Sequence, residues 1–426
     1  MGDRRVAITG LGVVSPVGTD AGELFAGVLS GNSCISLHGM DDPPRVLSIP
    51  AAVCTHFDAD AALGHSLAGT MDRYCQLGVS AAFDAWRHAG FPRDKSTELP
   101  DVGIAWGTAL GGTLAYERGY RELWQKGRDR VHPLSVVLGM NNAASAHISI
   151  ELALGGPSLT YSMACASAAA AIGEAFHKVR AGAAKVMLAG GSDAPLAYGV
   201  VRAWEALRVL APADADNAPY ACRPFHAQRA GLVLGEGAAA LVLEDWEHAL
   251  GRGAVIHGEI CGYGAASDHR HLVRPDPAGQ IRALKAALAD ARLDTAEIDY
   301  VNAHGTATRE GDTAEITAIQ AVFGPSAPNL PVSATKSMHG HMMGAAGAIE
   351  AVITVLALRK DALPPTAHLD DIDAACRGVH HIVGSALRGR GARAALSNSF
   401  AFGGSNVVLA FRAVRSGQAL QLPRII

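Results

Sequence analysis

The segment Tyr161–Phe176, YSMACASAAAAIGEAF, sets one thiol, Cys165, between a short β-prone run and an alanine-rich stretch that reads as a helix. At such a turn the unpaired N–H groups of the first helical turn carry partial positive charge and stabilise a thiolate. Position alone is thus expected to activate Cys165 as a nucleophile. Its neighbours Ala164, Ala166, Ser167 and Ala168 are small and leave room for another chain to reach the sulfur. A free cysteine is otherwise a small buried hydrophobe, so the assignment needs partners.

The second half of the chain supplies two. In DYVNAHGTATREGD a strand ends at His304, followed by a Gly/Thr turn and a helix from about Asp312. In PVSATKSMHGHMMGAAGAIEA a strand ends near Lys336, and a short loop delivers His341 to the start of a helix. Both place a polar side chain at the carboxyl end of a strand, the edge where open α/β folds locate their chemistry. A metal held by Cys165, His304, His339 and His341 is the competing arrangement. Against it, H-x-H beside a distant cysteine has no recognised zinc spacing, and Lys336 would repel the cation. The N-terminal GLGVVS, Gly10–Ser15, is a poor dinucleotide fingerprint because Pro16 follows where a helix should run, and it reads as a tight turn.

Elements that could position these groups recur along the chain. The runs RRVAITG, VGIAWGT, SLTYSMA, KVMLAGG, GAAALVLED, IDYVNAHG, LPVSATK, ARAALSNSF and SNVVLAFR read as strands, with helical stretches between them. Such alternation implies a largely parallel, buried sheet. The helices ASAAAAIGEAFHKVRAGAA and MMGAAGAIEAVITVLALRK are apolar over most of their circumference, as a helix layer between two sheets would be. Both halves show a strand that ends in a reactive residue before a small-residue helix, which suggests an internal duplication. Irregular stretches near 38–70, 118–135, 211–230 and 264–280 read as functional loops.

Composition narrows the class. With 426 residues, 49% apolar, and a net charge of -4, the chain has no basic excess that would point to nucleic acid. Seven cysteines, none in a CxxC pair, argue against a disulfide framework or zinc ribbon and for a reducing cytoplasm. The opening segment enters a strand without a signal-peptide core, and no run is long enough to span a membrane, so a cytoplasmic protein without membrane partners is expected.

With Cys165, His304, Lys336 and His341 assembled, the sequence resembles the β-ketoacyl-acyl carrier protein synthases, and among them the synthase II group. The resemblance runs through RRVAITGLGVVSPVG, MDRYCQLGVSAA, GGPSLTYSMACASA, VMLAGGSDAP, RPFHAQRAGLVLGEGAAALVLED, YVNAHGTATREGD, SATKSMHGHMMGAAGAIEA and SNSFAFGGSNVVLAF, nearly the whole chain. It implies an α/β thiolase-like fold, a five-layer αβαβα sandwich of two similar halves, here 1–252 with the nucleophile and 253–426 with the histidines. It also implies a homodimer, an acyl carrier protein as partner, and no cofactor, since substrates arrive on the carrier's phosphopantetheine.

Carried onto matching positions, the resemblance implies that Cys165 takes the acyl group in a ping-pong reaction. His304 and His341 then stabilise the enolate formed as malonyl carrier loses carbon dioxide. Lys336 holds the histidines' charge balance. The backbone N–H groups of Cys165 and Phe402 form the oxyanion hole, with Phe402 a gating aromatic and Gly403 lending that loop freedom. Thr306 and Thr308 match pantetheine contacts. Leu110, Trp204 and Phe400 match acyl-pocket positions, and Lys126, Arg128, Arg130 and Arg208 could form a basic rim for the carrier. Asn302, Glu350, Ser397 and Asn398 match the ligands of a structural monovalent cation in some relatives.

Several positions depart from the usual pattern: ACASA stands for ACTSG, His339 for a threonine, Val273 for a pantetheine-binding threonine, and Trp204 for a smaller phenylalanine. The last suggests a shorter or flatter acyl chain. The segment ahead of MDR also lacks a Lys/Arg cluster, which suggests a dedicated carrier. The expected activity is decarboxylative condensation in fatty acid elongation. A specialised polyketide or aryl-polyene synthase is the alternative, and a non-catalytic chain-length subunit the alternative of another class.

Overall fold

The computed structural model describes residues 4–42 and 45–414. In the first half, five strands, Val6–Val14, Val102–Gly107, Ser158–Tyr161, Val186–Asp193 and Gly237–Asp245, lie side by side in the order third, second, fourth, fifth, first. In the second half, Gly258–Ser267, Tyr300–Asn302, Pro331–Ser333, Ala394–Ala401 and Ser405–Arg412 repeat that order, with His380–His381 added at the far edge. The fifth strand of each half runs antiparallel to both neighbours, while the second, third and fourth are mutually parallel. The sheets are therefore mixed, not simply parallel. The halves meet where Val6–Ile8 pairs antiparallel with Gly258–Ile260.

Helices complete an αβαβα sandwich. Ser167–Arg180 and Ala346–Lys360 form the middle layer, each touching strands of both halves. In the latter every residue from Ala346 to Leu358 is buried, as its all-round apolar sequence requires. Arg73–His88 covers the outer face of the first half, and Pro277–Ala291 with Arg309–Phe323 covers that of the second. No helix among the described residues is long and apolar enough to cross a membrane.

GLGVVS is not a turn. Gly10 and Gly12 lie inside the first strand, and the turn comes at Ser15–Gly18, closed by reciprocal backbone hydrogen bonds of 2.9 and 3.2 Å. The glycines let a helix approach: a Cβ on Gly12 would fall 2.0 Å from the Ala81 carbonyl oxygen. The second half repeats the device at Gly264, where a Cβ would fall 2.2 Å from the Ala283 carbonyl oxygen. Because both obstacles are backbone, Gly12→Ala must displace a helix. A loss of about 1–3 kcal/mol is expected in denaturant unfolding, against little change for Gly39→Ala, which meets nothing within 4 Å.

The stretch taken as a loop near 38–70 begins as a hairpin, Ser36–Asp42 with Arg45–Ala52, joined to Leu234–Gly235. It sets Leu47, Ile49 and Ala51 in an apolar cluster that includes Cys165.

Candidate active site

Cys165 follows the strand Ser158–Tyr161 and precedes the central helix Ser167–Arg180 by one residue. The turn is tight: Ala164 has a φ of 47°, and the Ser167 hydroxyl donates to the Ala164 carbonyl at 2.6 Å while accepting from the Met163 N–H at 2.9 Å. Left-handed alanine is strained, and that strain aims the next side chain out of the helix path. Cys165 is 6% exposed, and its sulfur lies 3.0 Å from His341 Nε2.

His341 does not open a helix as expected. The strand Pro331–Ser333 stops three residues short of Lys336, a helical turn Lys336–His339 intervenes, and the central helix begins only at Ala346. His341 is instead held in extended backbone: its N–H donates to the Val233 carbonyl at 2.7 Å and its carbonyl accepts from the Gly235 N–H at 2.9 Å. His304 sits just past the strand Tyr300–Asn302. Its N–H and that of Gly305 both donate to the Glu315 carboxylate at 2.8 Å, and Asn398 Nδ2 donates to the same group at 2.9 Å. The helix carrying Glu315 starts at Arg309, three residues ahead of expectation. Glu315 and Asp312, which accepts from the Ala307 and Phe225 N–H groups, are functional supports that the sequence reading passed over. Their acidic spacing beside a His-Gly-Thr turn was the available signal.

The two imidazoles meet edge to face, centroids 5.4 Å apart. Lys336, wholly buried, joins them to the interior: Nζ donates to the His304 carbonyl at 2.5 Å, approaches His304 Nδ1 at 3.3 Å, and pairs with Glu350. A charged donor at Nδ1 forces that nitrogen to accept, so His304 carries its proton on Nε2. His341 Nδ1 has no hydrogen-bond partner among the described residues, which leaves the Cys165 sulfur at Nε2 as the contact that bears on its tautomer. His339 turns away from the cluster, its Nδ1 2.9 Å from the Gly340 carbonyl and its Nε2 3.0 Å from Thr335 Oγ1.

Electrostatics corrects one expectation. Burial pushes the Cys165 thiol up to about 12, although Lys336 and the backbone N–H groups of Phe402 and Cys165 pull the other way. Desolvation thus outweighs the helix terminus, and the resting residue is a thiol. Burial, with Lys336 alongside, holds both His304 and His341 well below the usual imidazole range, so both are neutral. Alkylation of Cys165 by a neutral haloacetamide should accordingly rise about tenfold per pH unit above neutrality without levelling off before about pH 10. A plateau near neutral pH, read by intact mass, would contradict the buried-thiol assignment.

Cys165, His304 and His341 open into one cavity of about 420 Å³, whose wall includes Trp204, Thr306, Thr308, Phe400 and Phe402. The Trp204 and Phe402 rings stack at 5.7 Å and 25°. Thr306 and Thr308 hydroxyls lie 2.9 Å apart. Gly403, at φ 84°, donates its N–H to the Leu272 carbonyl at 2.7 Å and ties the 402–404 turn to the loop that carries Val273. Leu110 is outside this wall, on a loop that the Asp193 carboxylate anchors through the N–H groups of Ala109 and Leu110. Of the four basic residues expected at a carrier rim, Arg208 reaches the cavity. Lys126 and Arg128 pair with Glu122 at 2.5 and 2.6 Å, and Arg128 and Arg130 line a second cavity of about 990 Å³.

Asn302 Oδ1, Glu350 Oε2, Ser397 Oγ and Asn398 Oδ1 are buried oxygens without hydrogen-bond partners among the described residues, as is Ser399 Oγ. Asn302 pairs with Ser397 across the sheet and donates to the Glu350 carbonyl at 3.3 Å, so these three residues are neighbours. An all-oxygen set of this kind fits a hard cation. The sulfur and imidazole ligand atoms of Cys165, His304 and His341 also fall within 4.8 Å of one another, but the Lys336 ammonium beside His304 opposes a metal there.

Comparison with known proteins identifies the family. Residues 3–249 match the beta-ketoacyl synthase N-terminal domain and 257–370 the C-terminal domain. The chain is 43% identical to Nodulation protein E of Rhizobium sp. (strain N33) over 97% of its own length and all of the relative's. It is 36% identical to 3-oxoacyl-[acyl-carrier-protein] synthase 2 of Staphylococcus aureus (strain COL), covering 96% and 98% of the two chains. Among solved structures, a beta-ketoacyl synthase from Burkholderia phymatum STM815 superposes with a TM-score of 0.89 at 37% identity, over 97% of this chain and 100% of that one. A type II polyketide ketosynthase in complex with its acyl-carrier protein does so at 0.87 and 29%, with the same coverage. The chain belongs to the beta-ketoacyl synthase family of acyl-transferring condensing enzymes.

Proposed function

We propose that the protein is an elongating 3-oxoacyl-[acyl-carrier-protein] synthase that joins malonyl carrier to an enzyme-bound acyl group with loss of carbon dioxide, in fatty acid elongation. The carrying observation is the 3.0 Å contact of Cys165 Sγ with His341 Nε2, with His304 in the same cavity. In the first half-reaction Sγ attacks the thioester carbonyl; the thiol proton passes through His341 Nε2 to the departing pantetheine thiolate. Acyl-Cys165 and free carrier thiol result. The negative oxygen of the intermediate is stabilised by the N–H groups of Cys165 and Phe402.

In the second, the carboxylate–carbon bond of malonyl carrier breaks and its electrons move to the thioester oxygen. His304 holds that oxygen through its fixed Nε2–H, and His341, now without a thiol partner and free in tautomer, adds a second donor. The enolate carbon attacks the acyl carbonyl and the Cys165 thiolate leaves, so one proton is taken up per turnover to restore the thiol. Asn302, Glu350, Ser397 and Asn398 would hold a monovalent cation, which supplies fixed positive charge beside Glu350. A homodimer belongs to the same reading, supported by exposed apolar groups: the stacked Tyr116, Tyr120 and Trp124, the last 75% exposed, and Ile150.

A specialised synthase with its own carrier is the second reading, supported by the greater identity to Nodulation protein E and by Trp204 against Phe402. Trp204→Phe removes indole volume from the wall of the cavity. It is expected to raise the kcat/KM ratio of long over short acyl carriers about tenfold, the worth of one or two buried methylenes. An unchanged ratio would end the assignment of Trp204 to chain length. A non-catalytic subunit is disfavoured, since the thiol and both imidazoles are present and in contact. The overall test is incubation with malonyl carrier and a panel of acyl carriers, followed by intact mass of enzyme and products. Acyl adducts and β-ketoacyl products support the assignment; neither, on several carriers, overturns it.

A further inference from the structure

Resting on that reading, we propose that Asp193 is a positioning residue for the acyl-transfer step: it ties the loop that flanks Cys165 to the segment that carries His341, and so sets the contact between thiol and imidazole. Asp193 ends the strand Val186–Asp193 and is wholly buried. Its carboxylate accepts four hydrogen bonds, from Thr108 Oγ1 at 2.8 Å, the Ala109 N–H at 2.8 Å, the Leu110 N–H at 3.2 Å and the Gly344 N–H at 2.6 Å. Three of these donors belong to the half that bears the thiol, and the fourth lies three residues beyond His341 in the other half. Burial pushes the carboxyl up to about 6 while the four donors pull the other way, so at neutral pH and above it is a carboxylate. Desolvating that charge costs stability. Shape alone would be met by an apolar side chain, whereas a group that only accepts can gather donors from both halves.

Each end of the tie leads to a reacting group. On one side, the loop that follows Gly107 rests on the residues around Cys165. The Thr108 N–H donates to the Tyr161 carbonyl at 3.1 Å, and a Cβ on Gly107 would fall 2.3 Å from the Ala168 nitrogen. On the other side, Gly344 fits where no side chain could: its Cβ would fall 2.3 Å from the Ala109 nitrogen and 2.5 Å from Asp193 Oδ2. Met343 beside it adopts a φ of 46° and packs in the apolar cluster that includes Cys165. Backbone pairing with Val233 and Gly235 fixes His341 to a different part of the first half. Asp193 fixes the same segment to the elements next to the thiol.

The test is single-turnover acylation of Cys165 from hexanoyl-pantetheine or a hexanoyl carrier, with the rate constant and the final adduct yield both read by intact mass. Asp193→Asn keeps the shape but turns one acceptor into a donor aimed at N–H groups. Its rate constant should fall about ten- to hundredfold at full yield, as a displacement of about 1 Å at the reacting atoms would give. Gly344→Ala, which leaves the carboxylate and forces the same junction apart, should give a loss of the same order. In a His341→Ala background Asp193→Asn should cause no further loss, because its effect runs through that imidazole. Alkylation of Cys165 by iodoacetamide, which does not use His341, should hold or rise, since the Asp193 charge opposes thiolate formation. An equal loss in both backgrounds, a lower yield at an unchanged rate constant, or alkylation that falls in step with acylation would overturn the proposal. Each would make Asp193 a support of the fold or of the thiol alone. Native protein that takes no acyl group from either hexanoyl thioester or from any other acyl carrier would overturn the condensing-enzyme reading, and this inference with it.

Discussion

Cys165→Ala should abolish the acyl-enzyme while sparing much of the decarboxylation of malonyl carrier. Loss of the sulfur removes the group proposed to form the covalent intermediate, so transfer should fall by on the order of 10⁴-fold or more. The donors proposed for the enolate do not depend on it. His304 is oriented by Lys336 and Glu315, and His341 by the Val233 and Gly235 backbone. Carbon dioxide release and acyl adduct formation, followed on one sample, should therefore separate. Cys165→Ser should resemble alanine in transfer, because a site that pushes a thiol up to about 12 is still less able to ionise a hydroxyl. An acyl adduct on the alanine variant would show that another residue is the nucleophile.

Lys336→Met is expected to have the largest effect on stability. Removing one member of a wholly buried ion pair strands the other, a cost of about 3–5 kcal/mol, and among the described residues Glu350 pairs with no other cationic side chain. Its carboxyl is pushed up to about 7 by burial even with Lys336 at its side. Without the ammonium the folded-state value rises further. A carboxyl whose folded value exceeds its unfolded value of about 4.3 contributes fully at low pH and loses that contribution as pH climbs through the folded value. The variant's deficit should thus be small near pH 5 and grow toward pH 8, and Lys336→Met with Glu350→Gln should recover stability at pH 8 without recovering condensation. Equal deficits at both pH values, measured by denaturant unfolding, would refute the buried-pair account.

Legibility in the sequence followed physical range. Cys165 was readable because a β-prone run, a single thiol and an alanine helix are adjacent, and His304 because its strand and turn are local. Nine strands announced themselves through apolar runs. The strand Gly258–Ser267 did not, since the glycines that admit the helix Pro277–Ala291 erase its apolar signal. The hairpin 36–52 was hidden for a similar reason: its polar face resembles a loop. Least legible were the distant couplings. The resting state of the thiol depends on burial by Leu47, Ile49, Leu232 and Met343, drawn from widely separated segments, and the tautomer of His304 depends on Lys336, placed by its own turn and by Glu350 in the helix beyond. Resemblance named Lys336 and Glu350, but their contact belongs to the folded chain.

The division of labour between the halves carries a consequence for biogenesis. The thiol comes from one half and both imidazoles from the other, and the helices that follow Cys165 and His341 share the central layer. A chain that has folded one half holds either a sulfur with no proton acceptor or imidazoles with no nucleophile. The paired groups of the proposed acyl transfer therefore come together only when the two halves close on one another.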